Sequence, residues 1–153
     1  LTDEKLVKIP SSSSEVNVVL ELEPSITQIP PDFDLGKLIN PIYFDFDKSY
    51  IRPDAAVELA KVIEILKEYP ELRIDVRSHT DSRGNDAYNL ALSERRNKST
   101  IDYIVEEGGI SRERLTGRGY GETQLLNECS NGVQCTEEQH QLNRRSEFIV
   151  QDY

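Results

Sequence analysis

From Asn40 onward, apolar positions recur in short blocks that switch between strand-like alternation and helical spacing. Residues 42–46 (IYFDF) form a short apolar and aromatic run, read as a strand. Alternation puts Tyr43, Asp45 and Asp47 on one face and Phe44 and Phe46 on the other. Pro53 suits a first helical position, where its missing N–H is harmless. Val57, Ala60, Val62, Ile63 and Leu66 then make an apolar stripe that runs up to Tyr69, and Pro70 stops it. Leu72, Ile74 and Val76 alternate with Arg73, Asp75 and Arg77, the pattern of a half-buried strand.

Residues 81–85 (DSRGN) read as a loop. A long helix follows over about 86–107, with Leu90, Ile101, Ile104 and Val105 on its core face and Gly108-Gly109 at its end. Residues 115–121 are extended and carry three glycines, residues 136–139 (TEEQ) open a short helix near a capping-box pattern, and residues 146–151 close as a strand. The order β-α-β-α-β-α-β predicts an α+β fold, a mixed sheet with helices packed on it.

Residues 1–39 follow a different pattern. A run of serines at 11–14 and prolines at 10, 24, 30 and 31 surround one strand-like stretch, 16–22 (VNVVLEL). This segment is read as a linker or the end of a preceding β-rich domain, and 40–153 as the main domain. The chain contains no Met and starts at Leu1, so a longer or processed parent is expected. No stretch reaches the ~20 apolar residues of a membrane-spanning helix.

Charge narrows the choice of ligand. With 28 acidic and 18 basic residues the net charge is −10, which disfavours general nucleic-acid binding and adsorption to anionic membranes. The two cysteines, Cys129 and Cys135, flank an Asn131-Gly132 turn signal. A disulfide closing this loop, with the oxidising compartment it implies, is the expected state. Two free thiols, or a zinc site shared with His140 and His79, are the alternatives, although the spacing is not that of a standard zinc motif.

Two clusters could carry chemistry. Asn89, Ser93 and Arg96 share one helix face, and the preceding loop supplies Thr80 and Asp81. A carboxylate at one end of a concavity and a guanidinium at the other would suit a zwitterion. The competing view is an internal Asp81–Arg96 salt bridge with Asn89 and Ser93 solvated. The second cluster is the exit of the first strand, where Asp45, Phe46 and Asp47 would add acceptors and an aromatic wall. No nucleophile elbow accompanies His79, and nothing sets a catalytic distance between Asp45 and Asp81, so a non-enzymatic role is expected. Arg144-Arg145 is expected to pair with nearby acids.

These residues in this order resemble a known family. Residues 43–49 (YFDFDKS), 78–84 (SHTDSRG), Tyr88-Asn89, Leu92-Ser93 with Arg95-Arg96, 119–122 (GYGE) and 143–145 (NRR) are similar to the OmpA-like domain. That domain is shared by outer-membrane protein A, the peptidoglycan-associated lipoprotein and flagellar motor stator proteins, and the likeness covers residues 40–150. It implies non-covalent binding of peptidoglycan through the diaminopimelate of its stem peptide, with no cofactor, by a protein attached to the outer membrane and facing the periplasm. It assigns the ligand ammonium to Asp81 and the ligand carboxylate to Arg96. Asn89, Leu92, the backbone around Thr80 and Ser82, and Asp45, Phe46 and Asp47 would line the pocket.

The family often has Ala where Asn97 stands. The Cys129–Cys135 insertion, continuing to Gln141, resembles Bacteroidetes-type versions and points to a large outer-membrane lipoprotein, with a type IX secretion apparatus as one parent assembly. The alternative function is a protein–protein scaffold that has lost the ligand. Arg96→Ala is expected to abolish wall binding without unfolding the domain.

Overall fold

The computed structural model describes residues 32, 34, 35 and 38–152. The strand read at 16–22, and the linker assignment for 1–31, lie outside these residues. The elements are β1 (Ile42–Tyr43), α1 (Pro53–Glu68), β2 (Arg73–Ser78), α2 (Asp86–Gly108), β3 (Leu115–Gly119), α3 (Glu137–Gln141) and β4 (Arg145–Asp152), with a short 3-10 turn at Arg112–Arg114. The alternating order is the one the sequence predicts. The strands form one mixed sheet in the order β1-β4-β2-β3. β4 is antiparallel to both β1 and β2, and β2 and β3 are parallel neighbours joined through α2.

Alternation in β2 buries Ile74 and Val76, and the register sets them opposite Val150 and Phe148 of β4. Those four side chains, Leu59, Val62 and Leu66 of α1, and Ile104 of α2 belong to one hydrophobic cluster. Leu35 and Ile39 also belong to it, at 0% and 6% exposure. These two residues, ahead of the boundary expected at Asn40, pack on the main domain. Asp34 bridges to Ile149, and the Asp32 N–H bonds the Val150 carbonyl, so this segment continues the sheet edge where β1 ends.

Three expected faces are corrected. In α1, Val57 is exposed and Ala60 faces solvent; the buried stripe is Ala55, Leu59, Val62, Ile63 and Leu66. The first strand stops at Tyr43 rather than running to Phe46. Asp47 takes a left-handed φ of 63° and the Lys48 N–H bonds the Asp45 carbonyl, so the chain turns. Phe44 is buried, whereas Phe46 is 51% exposed.

The third correction concerns α2. It packs through Asn89, Leu92, Ser93, Arg96, Asn97, Thr100 and Ile104, while Leu90 is exposed and Ile101 and Val105 are half-buried. A mostly polar stripe is inside because the sheet beneath it is polar at that end and offers partners. Asn97 Nδ2 donates to the Val76 carbonyl (2.7 Å) and to Ser78 Oγ (3.0 Å). Ser78 and Ser146 hydroxyls pair at 2.6 Å, and Thr100 Oγ1 lies 3.1 Å from Ser146 Oγ. Asn97 thus pins α2 to β2. Glycines let the two layers approach: a Cβ on Gly119 would collide with Ser93 Oγ and the backbone of Glu94.

Candidate functional site

β2 ends at Ser78, and the chain then leaves the C-terminal end of this interior strand into the 79–85 loop that leads to α2. Asn85 caps that helix, its side chain accepting from the Tyr88 N–H at 2.7 Å. The Thr80 N–H bonds the Gly121 carbonyl and the Tyr120 N–H bonds the Ser78 carbonyl, so the 79–81 segment is held against the 120–121 turn. Ser93 Oγ accepts the Gly121 N–H at 2.9 Å, tying the same turn to α2. The result is a cleft of about 80 Å³ between the first-strand exit, this loop and the start of α2.

The cleft gathers Phe46, Asp47, Thr80, Asp81, Asn89, Leu92 and Arg96, seven of the nine residues singled out from sequence. The other two stand just outside it. Asp45 turns its carboxylate to Tyr50 and, at 3.4 Å, to Arg52, and contributes its carbonyl to the site. Ser82 Oγ donates to the Cys129 carbonyl at 2.5 Å, away from the cleft.

Asp81 and Arg96 do not pair with each other, and Asn89 and Ser93 are buried rather than solvated. Arg96 is fully buried and spends three N–H groups on backbone carbonyls: Lys48 (2.8 Å), His79 (3.0 Å) and Asp45 (3.1 Å). Its guanidinium also lies 5.2 Å from the Phe44 ring. Burial, and then the nearby positive charge of Arg144, lower its pKa to about 10, so it stays charged at neutral pH. A guanidinium has five N–H groups; the three carbonyls leave two of them, and the negative charges of Asp81 and Asp47 partly offset its own.

Asp81 is 3% exposed. Its Oδ1 accepts the Arg83 N–H at 3.0 Å, and its Oδ2 accepts from Arg83 Nη2 (2.9 Å) and Arg144 Nη1 (3.0 Å). Burial pushes its carboxyl up, but those bonds from Arg83 and Arg144 outweigh it and hold the pKa below the usual value. A carboxylate offers about four acceptor positions, so one is left open. Asn89 Nδ2 bridges the Asp81 carbonyl (3.3 Å) and Glu122 Oε1 (2.8 Å). Thr80 Oγ1 is buried in the cleft lining without a hydrogen-bond partner.

Sequence reasoning gave Arg83 and Arg144 no ligand role. Arg83 lies 4.3 Å from the Phe46 ring, which explains why an exposed phenylalanine stands at the rim. Arg144 is 2% exposed and also bonds Glu137, Gln141 and the Phe44 carbonyl. The expectation that Arg144 and Arg145 pair with acids holds, Arg145 with Glu147 at 2.7 Å. What sequence could not show is that Arg144, far along the chain, pairs with the acid of the candidate site. Three arginines therefore line the cleft against Asp81 and Asp47.

Cys129 and Cys135 form a disulfide, so neither sulfur is a thiol or a zinc ligand. The turn expected between them is present, with Gly132 at φ 85° and the Val133 N–H on the Ser130 carbonyl. Thr136 and Gln139 complete the capping box of α3. His79 is buried, stacked on Tyr120 at 5.4 Å, and faces Glu147 at 3.3 Å, on structural duty.

Comparison with known proteins agrees with the fold. The model of the OmpA family matches residues 43–139. Outer membrane porin F of Pseudomonas aeruginosa is 36% identical over 110 residues, which is 72% of this chain and 30% of the porin. The peptidoglycan-associated lipoprotein of Brucella melitensis is 38% identical over 88 residues, 58% of this chain and 52% of the lipoprotein. The chain thus spans between about a third and a half of these relatives. The crystal structure of the peptidoglycan-associated lipoprotein from Burkholderia pseudomallei superposes with a TM-score of 0.65 at 24% identity, covering 72% of this chain and 89% of the other, a likeness of fold.

Proposed function

The chain belongs to the OmpA family, and from that premise we propose that its cleft binds peptidoglycan non-covalently, through the diaminopimelate of the stem peptide, and anchors the parent protein to the cell wall. The observation that carries this reading is the convergence of Asp81, Arg96, Asn89, Leu92, Thr80, Phe46 and Asp47 on one cleft. The ligand carboxylate would meet the two remaining N–H groups of Arg96, and its ammonium the remaining acceptor position of Asp81. Leu92 and Phe46 would pack on the aliphatic chain between them. Nothing in this scheme requires a cofactor or a reaction.

The site of action would be the periplasm, with attachment to the outer membrane through the parent protein. Membership in a Bacteroidetes-type lipoprotein or a type IX secretion apparatus rests only on the resemblance of the Cys129–Cys135 insertion. One observation favours the scaffold alternative: Asp81 already has two arginine partners, which weakens its pull on an ammonium. A ligand that binds only the folded state raises the unfolding temperature with concentration. Free diaminopimelate is expected to do so for the wild type and not for Asp81→Asn. An unchanged wild-type midpoint at millimolar ligand would favour the scaffold.

A further inference from the structure

A second concavity opens beside the first. A groove of about 560 Å³ runs between the 82–84 turn and the disulfide-closed 130–135 loop. Arg83 and Gly84 line both cavities, and Gly84, at φ 99°, puts no side chain across the junction. The bond from Ser82 Oγ to the Cys129 carbonyl ties the loop to this rim. The loop contributes uncharged polar groups, the exposed Ser130, Asn131 and Gln134. The charges in the lining, Arg83 and Glu137, are paired with each other at 3.2 Å. His140 also lines the groove at 7% exposure, and its Nδ1 has no hydrogen-bond partner.

We propose that this groove is a second subsite, one that takes the peptide backbone running on from the residue held at Asp81 and Arg96. The inference rests on the wall-binding reading of the first cleft and extends it. Amide and hydroxyl side chains donate and accept at once, which matches the alternating N–H and C=O groups of a peptide. Internal pairing of Arg83 with Glu137 gives the groove no strong preference for an ion. Sugar hydroxyls could use the same groups, but peptide atoms are covalently next to the residue in the first cleft, and the junction at Gly84 is open to them.

Titration calorimetry with three probes tests this: free diaminopimelate, the stem tripeptide that ends in it, and the same tripeptide carrying its disaccharide. Wild type is compared with an Asn131→Ala/Gln134→Ala double variant, whose exposed positions leave the unfolding midpoint in place. Loss of two neutral hydrogen bonds should weaken tripeptide binding about tenfold and leave free diaminopimelate unchanged. Equal binding of the tripeptide by both proteins would overturn the subsite, as would an equal loss for the free amino acid. A loss confined to the disaccharide probe would reassign the groove to the glycan. If wild type binds none of the three, the reading of the first cleft fails, and the subsite falls with it.

Discussion

Arg96, the proposed partner of the ligand carboxylate, is also a structural cross-link. It joins the first-strand exit, through the Asp45 and Lys48 carbonyls, to the end of β2, through that of His79. Truncation leaves three carbonyls without this donor, each costing about 1–3 kcal/mol if no water replaces it. Arg96→Ala is therefore expected to lower stability by several kcal/mol, not to leave the fold intact as the sequence suggested. Denaturant unfolding checks this; a midpoint within error of wild type would show that Arg96 is dispensable to the fold. Asp81→Asn keeps the volume and one acceptor oxygen, replaces the other with a donor and removes the charge, and is the milder probe. The acid and the cation of the site were legible from sequence because their order and spacing match a family pattern. Their partners were not. Arg83 is a neighbour, but Arg144 reaches Asp81 only through the antiparallel return of β4.

At the level of elements, α2 sets the geometry of the cleft, and its depth on the sheet is set by β3. Gly119→Ala would drive a methyl group into Ser93 and the Glu94 backbone. Overpacking of this kind costs about 1–3 kcal/mol. The variant is expected to unfold at lower denaturant and to bind ligand more weakly, since Asn89 and Arg96 ride on the same helix. Unchanged stability would mean the two layers are looser than their contacts indicate. Element order and type were readable because alternation and helical spacing differ, and because Pro53, Pro70 and Gly109 mark helix ends. The orientation of α2 was not. Its inner face reads as polar, and only the buried hydroxyls and carbonyls of Ser78, Val76 and Ser146 make that face the one to bury. Likewise, the strand at 42–46 was overextended because nothing in its pattern announces the left-handed turn at Asp47.

For the molecule as a whole, acid is the natural stress. Burial lowers the pKa of His79, partly opposed by Glu147, so the fold favours the neutral ring. Burial raises the Glu147 carboxyl, but His79 and Arg145 outweigh it and bring it to about 2. Asp81 is likewise held low. In all three the unfolded chain binds protons more readily than the folded one, so stability falls as pH drops. The His79 contribution is complete above its unfolded value near 6.5 and is lost below it. The carboxylate contributions are complete above about 4.5 and are lost as pH falls through the folded values, about 2 for Glu147. Urea midpoints measured from pH 7 to pH 3 should decline in two stages, and His79→Phe should remove the upper one. A flat profile down to pH 4 would contradict the assignment of His79 as a buried neutral ring.

The cleft can act on a wall only if the whole domain reaches one, so the most direct measurement is cosedimentation with purified, intact peptidoglycan at neutral pH. Wild type should pellet with the wall material, while Asp81→Asn, shown folded by its unfolding midpoint, should stay in the supernatant. Wild type that stays in the supernatant, or a variant that pellets equally, would contradict binding through this cleft.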